Sequence, residues 1–296
     1  MNDAEFRRIH RREIVNDRVN GASQLARQAL DSLAEFAGSC SEQDPDALQE
    51  ALLAFSEELQ FARPSMAPIQ NLIQRWIDRV EVLPASDMER MRRDAADVAQ
   101  QLSDASVRAV SDAAERAANL IGPDAVILTH SMSSTVQAAF RALSGRGVRA
   151  IVTESRPGLE GRNQALHLDH YGIPVTFITD AQLGHFSQFA TLALTGADTL
   201  LADGSLVNKA GTYLLALAAR DRGIPFYVCC ESFKQSTYAA DRFELESLDP
   251  GELDAPRGRH ITPENIYFDI TPARLIDACV TEDDVRRLEQ AAQGQQ

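Results

Sequence analysis

The chain has 296 residues, of which 44% are apolar and 24% charged, an ordinary balance for a globular protein with one large core or two smaller ones. Its 29 basic and 43 acidic residues give a formal net charge of −14, which argues against a nucleic-acid partner or an anionic membrane surface. A small phosphorylated ligand in a local cationic pocket is compatible with that charge.

No apolar run reaches the length of a membrane span, and the first fifteen residues lack the apolar stretch of a secretory signal. The four cysteines have neither metal-ligand spacing nor the density of a disulfide scaffold. We therefore expect a cytoplasmic protein with no metal and no cofactor. On a strand, the adjacent Cys229 and Cys230 would point to opposite faces.

Residues 1–120 show the periodicity of helices. An apolar stripe at three- and four-residue steps runs from Ile14 to Phe36, on an otherwise charged rod. Ser86 is a suitable N-cap for the last helix of this half. Further helices are predicted over residues 46–59, 66–80 and 86–119.

After Gly122 the pattern changes to short β-branched runs that alternate with helical segments. Apolar strands separated by amphipathic helices predict a parallel sheet that is covered on both faces. The fold class is therefore α/β, with a helical N-terminal domain over 1–120 and a doubly wound domain over 121–296. Strands are predicted over 125–129, 149–153, 174–179, 199–202 and 225–230, and helices over 132–143, 159–171, 182–189 and 206–222.

Polar residues follow the first two predicted strands, and ligands of such sheets bind outside the carboxyl ends of the strands. His130, Ser131 and Ser133 follow the first strand, and Glu154 and Arg156 follow the second. Hydroxyl groups and free amides at a helix N-terminus suit an anion. The alternatives are that Ser131 or Ser133 is an N-cap and that Arg156 forms a surface salt bridge.

The third and fourth predicted strands also lead into polar segments. Asp180 follows the third strand at a helix start, where an N-cap role is favoured. Around the fourth strand, Asn208 and Lys209 open a predicted helix among glycines, an arrangement suited to a phosphate or a sugar hydroxyl. Asp198 in the same segment is a candidate acid–base group.

Only two of the 29 basic residues are lysines, Lys209 and Lys234. A compact ammonium at such positions indicates a specific task, either binding a phosphate or pairing with a buried carboxylate. The alternative is that codon bias makes lysine rare here and that these two remained by chance. Lys234 follows the fifth strand together with Glu231, so a carboxylate and an ammonium share one short turn.

Taken together, the segments THSMSS, TESRPGLEG, GADTLLADGSLVNKAGT, ESFK and FDITP resemble the superfamily of the alpha, beta and delta subunits of eukaryotic translation initiation factor two-B. That superfamily also holds ribose-1,5-bisphosphate isomerase and methylthioribose-1-phosphate isomerase. In the helical half, VNGAS (19–23) and FARPSMAPIQN (61–71) resemble its phosphate-loop and Arg-Pro segments. The resemblance implies ligand contacts from Gly21, Ala22 and Arg63, a Rossmann-like second domain, and a homodimer or higher homo-oligomer formed through that domain.

The isomerases of this superfamily move a proton with a cysteine and an aspartate. The resemblance places the aspartate at Asp198, but Ser131 stands at the position of the cysteine. A thiol can be tuned into a proton shuttle, whereas an alcohol needs an adjacent strong base. His130 precedes Ser131 and would point the other way if the strand continued. Cys230 is a conceivable substitute for the missing thiol.

Two further positions depart from the pattern of the isomerases. Asn20 stands where they carry arginine, and Asp284 replaces a usual glycine. We therefore expect a regulatory or binding protein that holds a sugar phosphate or a nucleoside monophosphate. The alternative is an aldose–ketose isomerase acting on a ribose 1-phosphate or 1,5-bisphosphate. Hydride transfer is disfavoured, because no G-x-G-x-x-G motif follows the first strand.

Overall fold

The structure is a computed structural model that describes residues 2–84 and 87–288. Its contacts divide the chain into two compact units between Arg108 and Ala109. That division falls inside a long helix, whereas the sequence places the domain boundary at the end of the helix, near residue 120. The boundary at 120 stays a prediction.

The N-terminal unit is helical, as predicted. Asn2 caps the first helix by accepting from the amide of Glu5, and Asp44 caps the third by accepting from Asp46 and Ala47. The predicted N-cap Ser86 lies outside the described residues. The helices are α1 (Asp3–Asn16), α2 (Ala22–Ser39), α3 (Pro45–Gln60), α4 (Ala67–Val80) and α5 (Met88–Leu120), the last of which continues into the second unit.

The apolar stripe from Ile14 to Phe36 belongs to two helices rather than to one rod. The chain turns between α1 and α2, where the Asp17 carboxylate accepts from the amides of Val19 and Asn20 at 2.7 Å each. Such a local bond competes with continuation of the helix, so α1 ends before this turn.

Aromatic side chains form the centre of the N-terminal core. The rings of Phe6, Phe36 and Phe55 pack with centroid distances of 5.0 to 6.0 Å. Trp76 is fully buried, and its indole N–H donates to the carbonyl of Ala95 at 3.0 Å. The apolar faces of the helices thus fill this unit, and its buried indole donor is satisfied.

The C-terminal unit contains the predicted parallel sheet. Its seven strands have the order β10-β9-β7-β4-β1-β2-β3, and all neighbours are parallel except β9 and β10. The strands are β1 (Val126–Thr129), β2 (Arg149–Thr153), β3 (Val175–Ile178), β4 (Leu192–Thr195), β7 (Phe226–Cys229), β9 (Ala278–Val280) and β10 (Val285–Arg287). The order reverses between β1 and β4, which creates a crevice at their carboxyl ends.

A second, antiparallel sheet has the order β5-β6-β8. Its strands are β5 (Thr199–Leu200), β6 (Leu206–Lys209) and β8 (Phe268–Thr271), and the helices of this unit are α6 (Ser134–Ala142), α7 (Glu160–His170), α8 (Leu183–Phe186) and α9 (Thr212–Arg222). Two apolar clusters lie on the main sheet, and Cys229 belongs to one while Cys230 belongs to the other. The expectation that these two thiols point to opposite faces is confirmed. All four cysteines are free and buried.

Two predicted elements were wrong. The strand expected over 199–202 is not the fourth strand of the main sheet, because β4 takes that place and residues 199–200 pair with β6 instead. The helix expected over 206–222 begins only at Thr212, since Leu206–Lys209 pair with β8 as a strand. Asn208 and Lys209 therefore lie on a strand and do not open a helix.

No helix among the described residues is long and apolar enough to cross a bilayer. Within the same ranges, no group of three or more His, Cys, Asp or Glu side chains is arranged to hold a metal ion.

Candidate functional site

The loop after β1 turns sharply at Ser131, whose φ is +64°. The backbone amide of Ser131 donates to the Oγ of Ser155 at 2.8 Å, so the loops after β1 and β2 are linked. Ser133 is the N-cap of α6 and accepts from the amide of Val136 at 3.4 Å. Because Cβ at position 196 would lie 2.4 Å from the Ser133 Oγ, only glycine fits there.

His130 is buried and both of its ring nitrogens are engaged. Nε2 lies 2.9 Å from the carbonyl oxygen of Ala210, and Nδ1 lies 2.6 Å from the Oγ1 of Thr153. Since a carbonyl oxygen only accepts, Nε2 carries the hydrogen and Nδ1 accepts from the threonine. Burial lowers the pKa of His130, and the Asp180 carboxylate 3.7 Å away opposes that effect. The ring is therefore neutral and structural, and it is not poised as a base for Ser131.

Asp180 fixes the loop after β2. Its two carboxylate oxygens accept from the amides of Ser155 and Arg156, each at 2.8 Å. The favoured N-cap role for Asp180 was wrong, because Thr179 caps the short 3-10 helix and Asp180 is its first residue. The guanidinium of Arg156 is exposed and donates to the carbonyl of Leu253 at 3.2 Å. The loop presents Arg156 at the same edge as Ser131.

Lys209 is buried in an ion pair. Its Nζ donates to the Glu160 Oε1 at 2.9 Å and lies 3.2 Å from the centroid of the Tyr267 ring. The Tyr267 hydroxyl donates to the same carboxylate oxygen. Burial lowers the pKa of Lys209, and the attraction of Glu160 opposes this shift. Of the two tasks predicted for this lysine, the structure shows the pairing with a buried carboxylate.

Asn208, the neighbour of Lys209 on β6, braces the turn into α9. Its Nδ2 donates to the Oγ1 of Thr212 at 2.9 Å, and that hydroxyl donates to the carbonyl of Lys209 at 2.7 Å. Asn208 thus fixes the direction in which the chain leaves the strand.

Lys234 and Glu231 form a second buried pair. The ammonium donates to the carbonyl of Ala197 at 2.6 Å and lies 3.4 Å from the Glu231 Oε2. Burial acts to lower the pKa of Lys234, but the carboxylates of Glu231 and Asp198 outweigh it and raise the pKa. The attraction of the Asp198 carboxylate also acts to raise the pKa of Lys209, against the effect of burial. The fold therefore brings Asp198, Lys209 and Lys234 into one electrostatic group.

Asp198 and Ser131 belong to neighbouring segments of this edge. Gly196, two residues before Asp198, abuts Ser133, two residues after Ser131. Asp198 is half-buried, and its backbone amide donates to Val207 at 3.0 Å. The loop after β1 and the segment after β4 thus approach each other at Ser133 and Gly196, each two residues from the predicted Ser131 and Asp198.

Three predicted residues lie in the N-terminal unit. Gly21 is the N-cap of α2 and Ala22 its first residue. Arg63 is buried, and its guanidinium donates to the carbonyl of Asp17 at 3.1 Å. The ligand contacts that the resemblance assigns to these residues stay predictions.

The environment of Cys230 does not suit a substitute for the missing thiol. Cys230 is fully buried, and its hydrogen bond with Cys279, together with burial, raises its pKa well above the ordinary value. It is therefore poorly suited to replace a reactive thiol.

Asp269 on β8 was not among the residues predicted from the sequence, although it stands between apolar residues in the motif FDITP. Burial raises the pKa of Asp269 to about 6, and hydrogen bonds from Tyr213 and Gly211 oppose the shift.

The chain is thus an α/β protein in which a helical unit is followed by a doubly wound sheet, with polar groups at the reversal of strand order, the place where sheets of this class bind ligands. Residues 18–285 match the Initiation factor 2 subunit family, and the chain belongs to that family. The resemblance seen in the sequence is thereby confirmed.

Relatives of two kinds are similar to the chain. A "Putative translation initiation factor eIF-2B subunit 2-like" of Pyrococcus horikoshii is 37% identical over 277 residues, covering 92% of each chain. A "Ribose 1,5-bisphosphate isomerase" of Haloterrigena turkmenica is 32% identical, covering 91% of this chain and 86% of its own. A crystal structure of the Pyrococcus horikoshii OT3 translation initiation factor eIF-2B superposes with a TM-score of 0.83 at 33% identity, covering 97% and 98%.

The neutral state of His130 predicts a pH dependence of stability. The unfolded chain binds a proton on this histidine below about pH 6.5, while the folded protein resists it, so acidification through that value favours unfolding. In urea unfolding between pH 5.5 and 8, the free energy of unfolding of the wild type should fall relative to that of His130→Gln. The expected fall is up to about 1.4 kcal/mol for each pH unit of acidification below about 6.5. His170→Gln, at an exposed histidine, should keep the wild-type slope. Parallel curves for the wild type and His130→Gln would contradict the assignment.

Proposed function

We propose that the protein is a regulatory or binding member of its family that holds a sugar phosphate or a nucleoside monophosphate and does not isomerise it. The ligand lies at the carboxyl ends of β1, β2 and β4. The exposed Arg156 supplies positive charge in a chain whose net charge is −14, and the buried ammonium groups of Lys209 and Lys234, each paired with a glutamate, supply N–H donors. An ammonium has three donors. Lys209 uses one on Glu160, and Lys234 uses two on Ala197 and Glu231, so each retains at least one donor for a ligand.

The observation that carries this proposal is the state of the Ser131 loop. An alcohol stands where the resemblance places a catalytic thiol, and an alcohol reacts near neutral pH only beside a base. The adjacent histidine has both nitrogens occupied by Ala210 and Thr153. The serine therefore lacks the activation that proton transfer would require from His130.

The second candidate is an aldose–ketose isomerase. The resemblance places the catalytic aspartate of the isomerases at Asp198, and several relatives carry the name ribose 1,5-bisphosphate isomerase, at 27% to 32% identity. In this alternative, Asp198 moves the proton without help from a thiol.

A turnover assay separates the two candidates. We expect no ketose from the wild type incubated with ribose 1,5-bisphosphate or methylthioribose 1-phosphate, followed by ¹³C NMR. Ser131→Cys should gain slow turnover because it restores an ionisable proton carrier, and Ser131→Ala is the matched inactive control. Turnover of the wild type at isomerase-like rates would refute the non-catalytic proposal.

A thermal melt tests ligand binding without catalysis. Ribose 5-phosphate or AMP should raise the melting temperature, since a ligand bound only to the folded state stabilises it by about 2.7 kcal/mol at one hundred times its Kd. Arg156→Ala should weaken the shift, and Arg162→Ala, another exposed arginine four residues beyond the Pro-Gly turn, should not.

Lys209→Ala should abolish the same shift. Because that change alone leaves Glu160 buried without its cation, it is combined with Glu160→Gln. Absence of a shift in the wild type with both ligands would count against the binding site.

We also propose that the protein is a homodimer formed through the C-terminal unit. Leu214 and Leu217 on α9 are 60% and 40% exposed, and Phe189 is 54% exposed, which supports an apolar contact surface there. Light scattering at micromolar concentration should give twice the monomer mass of 32.5 kDa, and Leu217→Glu should lower it. A monomeric wild type would rule this assembly out.

A further inference from the structure

Helix α9 begins without a side-chain cap of its own. Its N-cap is Gly211, which has no side chain to accept the free amides of the first turn. The Oδ2 of Asp269 accepts from the amide of Gly211 at 2.7 Å and from that of Tyr213 at 3.0 Å. A strand residue 58 positions further along the chain therefore caps the helix.

The space beside Gly211 explains why the cap comes from elsewhere. The backbone there has a φ of +112°, and a Cβ would lie 2.7 Å from both Cε1 and Nε2 of His130. A serine or an aspartate, the usual N-cap residues, would collide with the imidazole. The close approach of His130 thus requires glycine at 211 and transfers the capping role to Asp269.

The same aspartate lies opposite the proposed ligand residues. Asp269 pairs in register with Asn208, and Phe268 pairs with Lys209, so β8 sets the position of both. The carbonyl of Ala210, between Lys209 and Gly211, accepts from His130. Asp269 therefore borders two parts of the site at once, the Asn208–Lys209 strand and the histidine that supports the loop after β1.

The second carboxylate oxygen of Asp269 carries an unfavourable desolvation energy. Oδ1 is buried and has no hydrogen-bond partner in the described part of the chain. An apolar residue or an amide at this strand position would avoid the cost of a buried charge. A buried polar atom without a partner in a native structure calls for an explanation.

We propose that Asp269 is a positioning residue for the ligand site: by capping α9 it fixes the turn from Lys209 to Gly211 and, through the His130 ring, the backbone of Ser131. This inference rests on the proposed ligand site. It assigns no contact between Asp269 and the ligand. The coupling runs from the carboxylate to the Gly211 amide, from the adjoining Ala210 carbonyl to the imidazole, and from the imidazole through Thr153 and Ser155 to the Ser131 amide.

Three variants test the proposal. Asp269→Ala removes the cap, Asp269→Asn keeps an oxygen that can accept the two amides, and Asp249→Ala removes an exposed aspartate that accepts from Gly251 at 2.8 Å, as a matched control. Affinity for ribose 5-phosphate and AMP is measured by calorimetry at 15 °C, with folding checked by circular dichroism. We expect at least a tenfold loss for Asp269→Ala, less than threefold for Asp269→Asn, and none for Asp249→Ala.

A second readout needs no ligand. In ¹H–¹⁵N NMR spectra, Asp269→Ala should move the amide resonances of Gly211, Tyr213 and Ser131, whereas Asp269→Asn should leave Ser131 in place. If the wild type binds neither ligand, the proposed function fails. The shift of the Ser131 amide resonance in Asp269→Ala then remains as the test of whether Asp269 positions that loop. An unmoved Ser131 amide in Asp269→Ala overturns the proposal. An Asp269→Ala variant that melts earlier but keeps the wild-type Kd overturns it as well. So does failure of both Asp269→Ala and Asp269→Asn to fold while Asp249→Ala folds, since a purely structural cap would explain either result.

Discussion

The His130 ring, packed beside Gly211, organises the polar edge of the sheet. The imidazole occupies the space that a side chain at position 211 would need, and its two nitrogens bind Ala210 and Thr153. Ala210 follows the antiparallel sheet and Thr153 ends a strand of the parallel sheet, so a single neutral ring joins the two. Neutrality is essential to this arrangement, because a charge at that depth would be poorly solvated.

Buried charge pairs set the second constraint. The two lysines of this arginine-rich chain both lie inside the C-terminal unit, each beside a glutamate. The compact ammonium of Lys209 lies between the Glu160 carboxylate and the Tyr267 ring. Removal of either partner would leave an unpaired charge in the interior, which is strongly destabilising.

The fold of this family does not by itself determine the chemistry at the strand ends. The chain is similar both to proteins named as initiation-factor subunits and to proteins named as isomerases, so the fold is common to both kinds. Fold alone does not determine function, and the side chains at the strand ends carry the difference. In the proposed function the deciding group is the hydroxyl of Ser131, and His130, with both ring nitrogens hydrogen-bonded, does not activate it.

Local patterns in the sequence determined the helical N-terminal half, the parallel sheet and the strand ends at which the site lies, because helix and strand periodicity reflect short-range burial. They did not separate β6 from α9, since four residues of mixed polarity resemble the first turn of the helix that follows. The cap from Asp269, the pair of Lys209 with Glu160 and the turn at Ser131 were decided only by the tertiary structure. Each depends on hydrogen bonds or packing between residues far apart in the chain, which no local period encodes.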